Sequence, residues 1–433
     1  MSKPRQDSVP PSARSVAARV LGRVHNDQAF AAAALDAELS RYAQLDARER
    51  GLATELVYGV LRCEGALDAR ISRHAPKGIK DRETRLHLLV AAYQLLLLDR
   101  VPAFAAVDAA VSLVRKQRGD RVAAFANAVL RKLAASGERL ALDAALRESA
   151  QPWLWQRLVE SVGEDEALAL LGGGDIAPTV GVRLVAGREA PAWAREASTG
   201  RVSPRARRIE RRGDPKQLEG YADGSFVVQE EGAQAVALLL GARPGERVLD
   251  ACAGRGQKAS LLAEQVGASG EVFATDVHPP KLDALQSEFR RLRLPAPRVA
   301  AVDWSAGVGD VAEGFDRVLV DAPCTGTGTL RHRPEIARRL SAEDPARLGA
   351  LAESILRSAS TRARPGGRVV FAVCSVLTAE GEAVVERVRD VLEPVAFDDS
   401  EVPGLVPNGA TYLRLLPHAH GTDGYFVASF VRR

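Results

Sequence analysis

The chain has 433 residues, 46% hydrophobic and 26% charged, the balance of an ordinary soluble globular protein with room for two or three domains. Lys and Arg number 59 against 55 Asp and Glu, a formal charge of +4, which permits an acidic partner without requiring one. The four cysteines, Cys63, Cys252, Cys324 and Cys374, stand far apart; the absence of a C-x-x-C pair argues against a zinc knuckle or thioredoxin-like site. No metal is expected, and a reducing, cytoplasmic compartment fits best.

Met1 to Ser12 is polar and proline-bearing, unlike a secretory signal. Residues 13–140 are rich in Ala and Leu at helical spacing and predict an all-helical bundle. Leu45-Asp46-Ala47-Arg48-Glu49-Arg50 starts one helix, and Gly119-Asp120 breaks two others apart. The longest apolar stretch, Leu86 to Leu98, is too short for a membrane span and reads as a buried helix. Residues 141–175 predict a helical linker closing at Gly172-Gly173-Gly174. Residues 176–222 alternate as a small α/β subdomain and carry the basic cluster Arg205, Arg207, Arg208, Arg211 and Arg212. That cluster is either a phosphate-contacting surface or a solvated loop. From 223 to 433 strands alternate with helices, at Arg247–Ala251, Glu271–Thr275, Arg298–Val302, Arg317–Asp321, Arg368–Val373 and Tyr425–Val431. The pattern predicts a doubly wound parallel sheet with an antiparallel edge strand at the C-terminus.

Ligands bind at the carboxyl ends of the strands in such a sheet, and three strand ends here carry chemistry. Asp250-Ala251-Cys252-Ala253-Gly254-Arg255-Gly256-Gln257-Lys258 is a strand, a tight turn and a helix start, where Gly254 and Gly256 allow backbone to approach a ligand. Asp276 and Asp303 end the next two strands. They suit the ribose hydroxyls and the adenine amino group of an adenosine-type cofactor, though either could instead cap a helix. Position 259 is Ala, so the third glycine of the dinucleotide fingerprint is missing. Asp321-Ala322-Pro323-Cys324-Thr325-Gly326-Thr327-Gly328 is a stiff corner that holds Asp321 and Cys324 toward one point. Cys374-Ser375 ends another apolar strand in the same way. Taken alone Cys374 would be an inert buried thiol, but its match to Cys324 suggests a pair. Cys63 and Cys252 read as structural. Arg331, Arg333, Arg338 and Arg339 form a second basic strip or an exposed helix face.

These segments resemble the RNA cytosine-C5 methyltransferases of the Sun/RsmB branch. The family's D-A-C-A-A-P-G-G-K turn is matched by Asp250 to Lys258, with Gly254, Arg255 and Gln257 departing. Its D-A-P-C-S-G-x-G segment is matched by Asp321 to Gly328, its T-C-S by Val373-Cys374-Ser375 with Glu380 and Glu382 following, its entry helix by Val228 to Gln234, and its D-G-F-F by Asp423 to Phe426. Tyr58 to Arg62 and Phe125 to Arg131 are similar to the NusB RNA-binding fold. The resemblance implies a NusB-like bundle, a small α/β RNA-binding subdomain and a Rossmann-like methyltransferase domain. It implies S-adenosylmethionine held by Cys252, Ala253, Gly254, Arg255, Gly256, Gln257, Lys258, Asp276, Asp303 and Asp321. In it Cys374 attacks C6 of a cytosine, Asp321 bonds the N3 edge, and Cys324 assists release. The implied substrate is 16S rRNA, free or in an assembling subunit, modified at cytosine 967, and contacted by Arg205, Arg207, Arg208, Arg331 and Arg333. A monomer that binds no membrane is expected. The competing readings are an RNA-binding assembly factor with weakened activity and a C5 methyltransferase of tRNA or another rRNA site.

Overall fold

The computed structural model describes residues 12–42, 44–172, 180–209, 215–398 and 400–433. Gly173, Gly174, Arg211, Arg212 and all of the Met1–Ser12 segment but its last residue lie outside these. By its contacts the chain forms two units, neither continuous in sequence. The first is Met1–Gln156, Ala167–Pro178 and Leu330–Arg339; the second is Arg157–Glu166, Thr179–Thr329 and Leu340–Arg433.

The first unit is helical: α1 (Ala13–Asn26), α2 (Ala31–Arg41), α3 (Ala47–His74), α4 (Arg82–Leu97), α5 (Ala103–Arg118), α6 (Asp120–Ala135) and α7 (Leu142–Ser149). The chain then runs through α8 (Pro152–Val162) and α9 (Glu164–Leu171). Local chemistry sets these boundaries. Asp46 caps α3 by accepting the Glu49 N–H at 2.8 Å, and Asp81 caps α4 by accepting that of Thr84 at 2.8 Å. Gly119, at φ +82°, divides α5 from α6. The apolar run in α4 is the bundle core: Leu88, Leu89, Ala91 and Ala92 are fully buried. Its polar members are satisfied in place. His87 Nε2 lies 2.8 Å from Gln117 Oε1, and the Gln94 amide donates to the Val90 carbonyl.

The second unit holds two sheets. The smaller comprises β1 (Val180–Leu184), β2 (Ser198–Thr199), β3 (Ala206–Ile209) and β4 (Phe226–Val228), in the order β2-β3-β1-β4 with every pair antiparallel. It is tied to the larger sheet's first helix through a buried arginine. Arg183 of β1 donates to Gln229 Oε1 at 2.8 Å, to Ser260 Oγ at 2.9 Å and to the Glu264 carboxylate. A charge this deeply buried persists only because its donors find acceptors.

The larger sheet has β5 (Arg247–Asp250), β6 (Glu271–Asp276), β7 (Arg298–Ala301), β8 (Phe315–Asp321), β9 (Ala363–Val373), β10 (Leu392–Pro394), β11 (Tyr412–Leu415) and β12 (Tyr425–Arg432). The order is β10-β12-β9-β8-β5-β6-β7, with β11 also pairing β12. The helices between and around them are α10 (Glu231–Leu238), α11 (Gln257–Val266), α12 (Pro279–Leu292), α13 (Ile336–Arg339), α14 (Asp344–Ser360), α15 (Glu382–Arg387) and α16 (Pro417–His420), of which α13 lies in the helical unit. β7, β6, β5, β8 and β9 run parallel. β12 is antiparallel to β9, but it is not an edge strand as the sequence suggested. It carries β10 and β11 on its far side, strands of three and four residues too short to show a period of their own. Val318, Leu319, Val320 and Val369 to Val373 are fully buried, so both faces of the central strands are covered. The chain reverses its direction of travel across the sheet between β5 and β8, and the crevice at their carboxyl ends is the site such a topology offers a ligand.

Candidate active site

β5 ends in Asp250, whose side chain is buried. Neither carboxylate oxygen has a hydrogen-bond partner of ordinary geometry. Burial pushes this carboxyl up to about 7; the Lys258 ammonium pulls it down and the Asp321 carboxylate adds to the rise. The turn that follows needs its glycines. Gly254 sits at φ +56°, and Gly256 at φ +85°, where a Cβ would meet Leu285 Cγ at 2.5 Å. Gly256 begins α11 without a capping side chain, which leaves the first N–H groups of that helix facing the turn. Arg255 and Gln257 are exposed, and the Gln257 amide donates to the Val228 carbonyl at 2.6 Å. Ala253 is buried, and burial raises the Cys252 thiol well above its usual range.

Lys258 reaches from α11 to the end of β8, where its Nζ lies 2.6 Å from Asp321 Oδ2 and 5.9 Å from the Tyr425 ring centre. Burial works against this ammonium, but the Asp321 carboxylate outweighs it and the Lys258 pKa is raised. Lys258 is therefore cationic at neutral pH. Asp276 is buried and accepts the Gly254 N–H at 3.1 Å, the His278 N–H at 2.8 Å and the Lys281 ammonium, so it fastens the glycine turn to β6. Asp303 is exposed and turns one oxygen onto Ser305 N and Oγ, at 3.0 and 2.5 Å.

Cys324 and Cys374 meet. Their sulfurs are 3.4 Å apart although 50 residues separate them. β8 and β9 are parallel neighbours in register from Arg317↔Arg368 to Asp321↔Ala372, so each strand delivers its cysteine to the same edge. The Cys324 thiol is raised well above the ordinary cysteine range, first by its hydrogen bond to Cys374 and then by burial. Either sulfur can donate in this contact, and the raised pKa keeps Cys324 a thiol at neutral pH.

One residue that sequence reasoning left without a role holds this geometry. Glu380 is fully buried, and its carboxylate accepts Thr325 N–H at 2.7 Å, Thr325 Oγ–H at 2.5 Å and Ser375 Oγ–H at 2.5 Å. Each cysteine's next neighbour is thus bound to one acid. Gly328 N–H donates to the Cys374 carbonyl at 3.0 Å and Gly424 N–H to the Gly328 carbonyl at 2.8 Å; a Cβ on Gly328 would overlap the Gly424 carbonyl. In the sequence Glu380 shows as an acid five residues after Ser375 that follows the family's T-C-S segment, signals that give it no role by themselves. Glu380→Ala is expected to lower unfolding stability by about 3 kcal/mol, because three buried donors lose their acceptor, and to slow catalysis. Thermal denaturation and steady-state rates of the purified variant check both.

The described arginines of the small sheet have partners within the second unit. Arg205 pairs with Glu264 at 3.0 Å, Arg208 lies 3.9 Å from Glu231, and Arg207 donates to the Ala194, Pro204 and Ala206 carbonyls. Arg331 is half-buried and Arg333 exposed, both in the stretch that belongs to the helical unit.

Against proteins of known sequence, residues 237–431 match the model of the 16S rRNA methyltransferase RsmB/F family and residues 11–135 that of the NusB family. Ribosomal RNA small subunit methyltransferase B of Xanthomonas campestris pv. campestris is 31% identical over 97% of this chain and 97% of its own. The chain belongs to the RsmB/F methyltransferase family. A Mycobacterium tuberculosis (strain CDC 1551 / Oshkosh) protein with a provisional methyltransferase name is 35% identical over 99% of this chain and 98% of its own. The solved structure of PH0851 shares the fold, with a TM-score of 0.79 over 98% of this chain and 100% of that one at 21% identity. Methyltransferases of this family use S-adenosylmethionine. The residues present suit it: an orphaned buried carboxylate at Asp250, a glycine turn opening onto a helix start, and open space beyond the Gly254 backbone. Among the described residues no helix is long and apolar enough to cross a membrane, and no group of three or more His, Cys, Asp or Glu is placed to hold a metal ion.

Proposed function

We propose that this chain transfers a methyl group from S-adenosylmethionine to C5 of a cytosine in 16S rRNA through a covalent cysteine adduct. The observation that carries the reading is the 3.4 Å approach of Cys324 and Cys374 beside the Lys258–Asp321 pair. C5 of cytosine is a weak nucleophile until a sulfur adds to C6. When bound, S-adenosylmethionine supplies an electrophilic methyl group.

Cys374 is the nucleophile. Its sulfur bonds C6, and the electron pair displaced from the C5–C6 double bond gives C5 its nucleophilic character. The proton released by the Cys374 thiol passes to N3. Asp321 accepts from that N3–H and from the exocyclic amine, which stabilises the charge developing in the ring, and N3 gives the proton up again when the Cys374 sulfur departs. Lys258 orients Asp321 through its 2.6 Å contact with Oδ2. Release requires the C5 proton to leave, the C5–C6 double bond to re-form and the Cys374 sulfur to depart. Cys324 assists this step. The hydrogen bond that chiefly holds the proton on Cys324 is lost once Cys374 is bonded to carbon, so Cys324 ionises more readily when a base is needed. The target base must be unpaired or flipped out to reach the sulfurs.

Asp250, Asp276 and the turn from Cys252 to Lys258 would hold the cofactor, Asp250 facing its ammonium group and Asp303 its base. Asp250 titrates near 7. In the unfolded chain the carboxyl titrates near the usual value of ~3.9, so the stability of the neutral folded form is complete below that pH and is lost as pH rises through about 7. A cation binds the ionised form, so cofactor affinity should rise from pH 6 to 8, and Asp250→Asn should flatten the profile. Calorimetric titration with S-adenosylmethionine at several pH values checks this; a flat wild-type profile refutes the assignment. The function itself is tested with labelled methyl transfer to an unmodified 16S rRNA transcript and bisulfite sequencing of the product. Label that resists bisulfite mapping as 5-methylcytosine would overturn it. Cytosine 967 is the position the family resemblance points to.

A further inference from the structure

The helical unit exposes an aromatic ring where helix capping calls for a small polar residue. Phe30 is the N-cap of α2, gives no side-chain cap, and is 50% exposed. Ser, Thr, Asp or Asn is the ordinary choice there because a side-chain oxygen takes up an orphan N–H. In this chain the missing acceptor comes from elsewhere. Glu335, buried, accepts the Ala31 N–H through Oε1 at 3.1 Å, and places a carboxylate at the positive end of the helix. Capping is thus met by Glu335 and does not explain why position 30 carries a ring.

The surroundings of the ring point to a ligand. The guanidinium carbons of Arg333 and Arg339 each lie 5.4 Å from its centre. Arg339 is held in place by donating to the Ala29 carbonyl at 2.7 Å, whereas Arg333 is exposed. The stretch that brings both arginines is itself anchored. Gln151 donates to the Ala337 carbonyl at 2.7 Å, and Arg338 pairs with the buried Glu64 at 2.8 Å. The Arg339 guanidinium is fixed against the ring before anything binds, while Arg333 lies over the ring from the exposed side. A rigid aromatic face flanked by planar cations stacks unpaired bases and attracts their phosphates. The same stretch begins six residues after Cys324.

Resting on the RNA-substrate reading above, we infer that Phe30, Arg333 and Arg339 form a stacking platform for an unpaired nucleotide of the substrate RNA, separate from the flipped target base. Phe30 supplies the face and Arg333 the phosphate contact.

The test uses the full chain and an unmodified 16S rRNA transcript in filter binding at fixed salt, with Phe30→Ala, Phe30→Leu and Phe30→Trp. Phe30→Ala should weaken binding about tenfold, within the ~5- to ~150-fold one base stack contributes, and raise KM for the transcript at unchanged kcat. Phe30→Trp should bind as wild type, because it restores a π face. Phe30→Leu should stay weak although it restores apolar volume. Wild-type affinity in Phe30→Ala, or full recovery in Phe30→Leu, overturns the platform and leaves the ring as a packing clamp. The two levels fail separately: if the wild-type chain methylates no cytosine in the transcript the function is wrong, while the binding series still reports on Phe30.

Discussion

Cys374→Ala should abolish methyl transfer while leaving S-adenosylmethionine binding unchanged. The loss is expected to exceed about 10³-fold, because without sulfur addition the C5–C6 bond is not activated and nothing else in the site can replace that step. Cys324 is 3.4 Å away, close enough to suggest a substitute nucleophile. The variant removes the hydrogen bond from Cys374, but burial still raises the Cys324 thiol, and its sulfur stands 3.4 Å from the position that Cys374 occupied, so it is not placed to bond C6 in its stead. Labelled methyl transfer to the 16S rRNA transcript measures the rate, and calorimetry measures cofactor affinity. Residual activity near that of the wild type would sink the assignment of Cys374 as nucleophile, whereas lost cofactor binding would show that the substitution had disturbed the site as a whole.

Cys324→Ala should have the opposite signature. The adduct forms, since Cys374 is intact, but its breakdown is slowed, so a covalent protein–RNA species accumulates. It should migrate as a slow band in denaturing electrophoresis, appear only with Cys374 present, and be absent from the double variant Cys324→Ala/Cys374→Ala. Turnover should fall by about 10²-fold or more, in the range of a lost acid–base group. If no adduct is trapped while turnover persists, Cys324 has no part in release. The pair of variants divides the reaction because the two sulfurs share one place but serve different steps.

These cysteines also mark how far reading residues in order can go. Each closes an apolar, β-branched run, and Gly254, Gly256, Asp250 and Lys258 lie in one uninterrupted stretch. Strand periodicity and turn chemistry act between neighbours along the chain, so the sheet, its glycine turn and the candidate thiols were legible. So was the break at Gly119, a backbone conformation that glycine adopts most readily. The basic cluster shows the opposite case. Arg205 and Arg208 are neighbours in the sequence, but the acids that pair with them, Glu264 and Glu231, come from helices elsewhere in it.

What the amino-acid order determined by itself is the local chemistry: two strand-end cysteines, a flexible turn suited to an adenosine-type cofactor, and a helical half preceding a parallel α/β half. What only the tertiary structure decided is which distant groups meet. The 3.4 Å sulfur separation, the Glu380 carboxylate gathering donors from both cysteine loops, the Lys258–Asp321 pair, and the transfer of residues 330–339 to the helical unit all depend on strand register and packing. The physical reason is range. Backbone preferences act over a few residues, whereas burial and hydrogen-bond satisfaction select partners from the whole chain once it has folded.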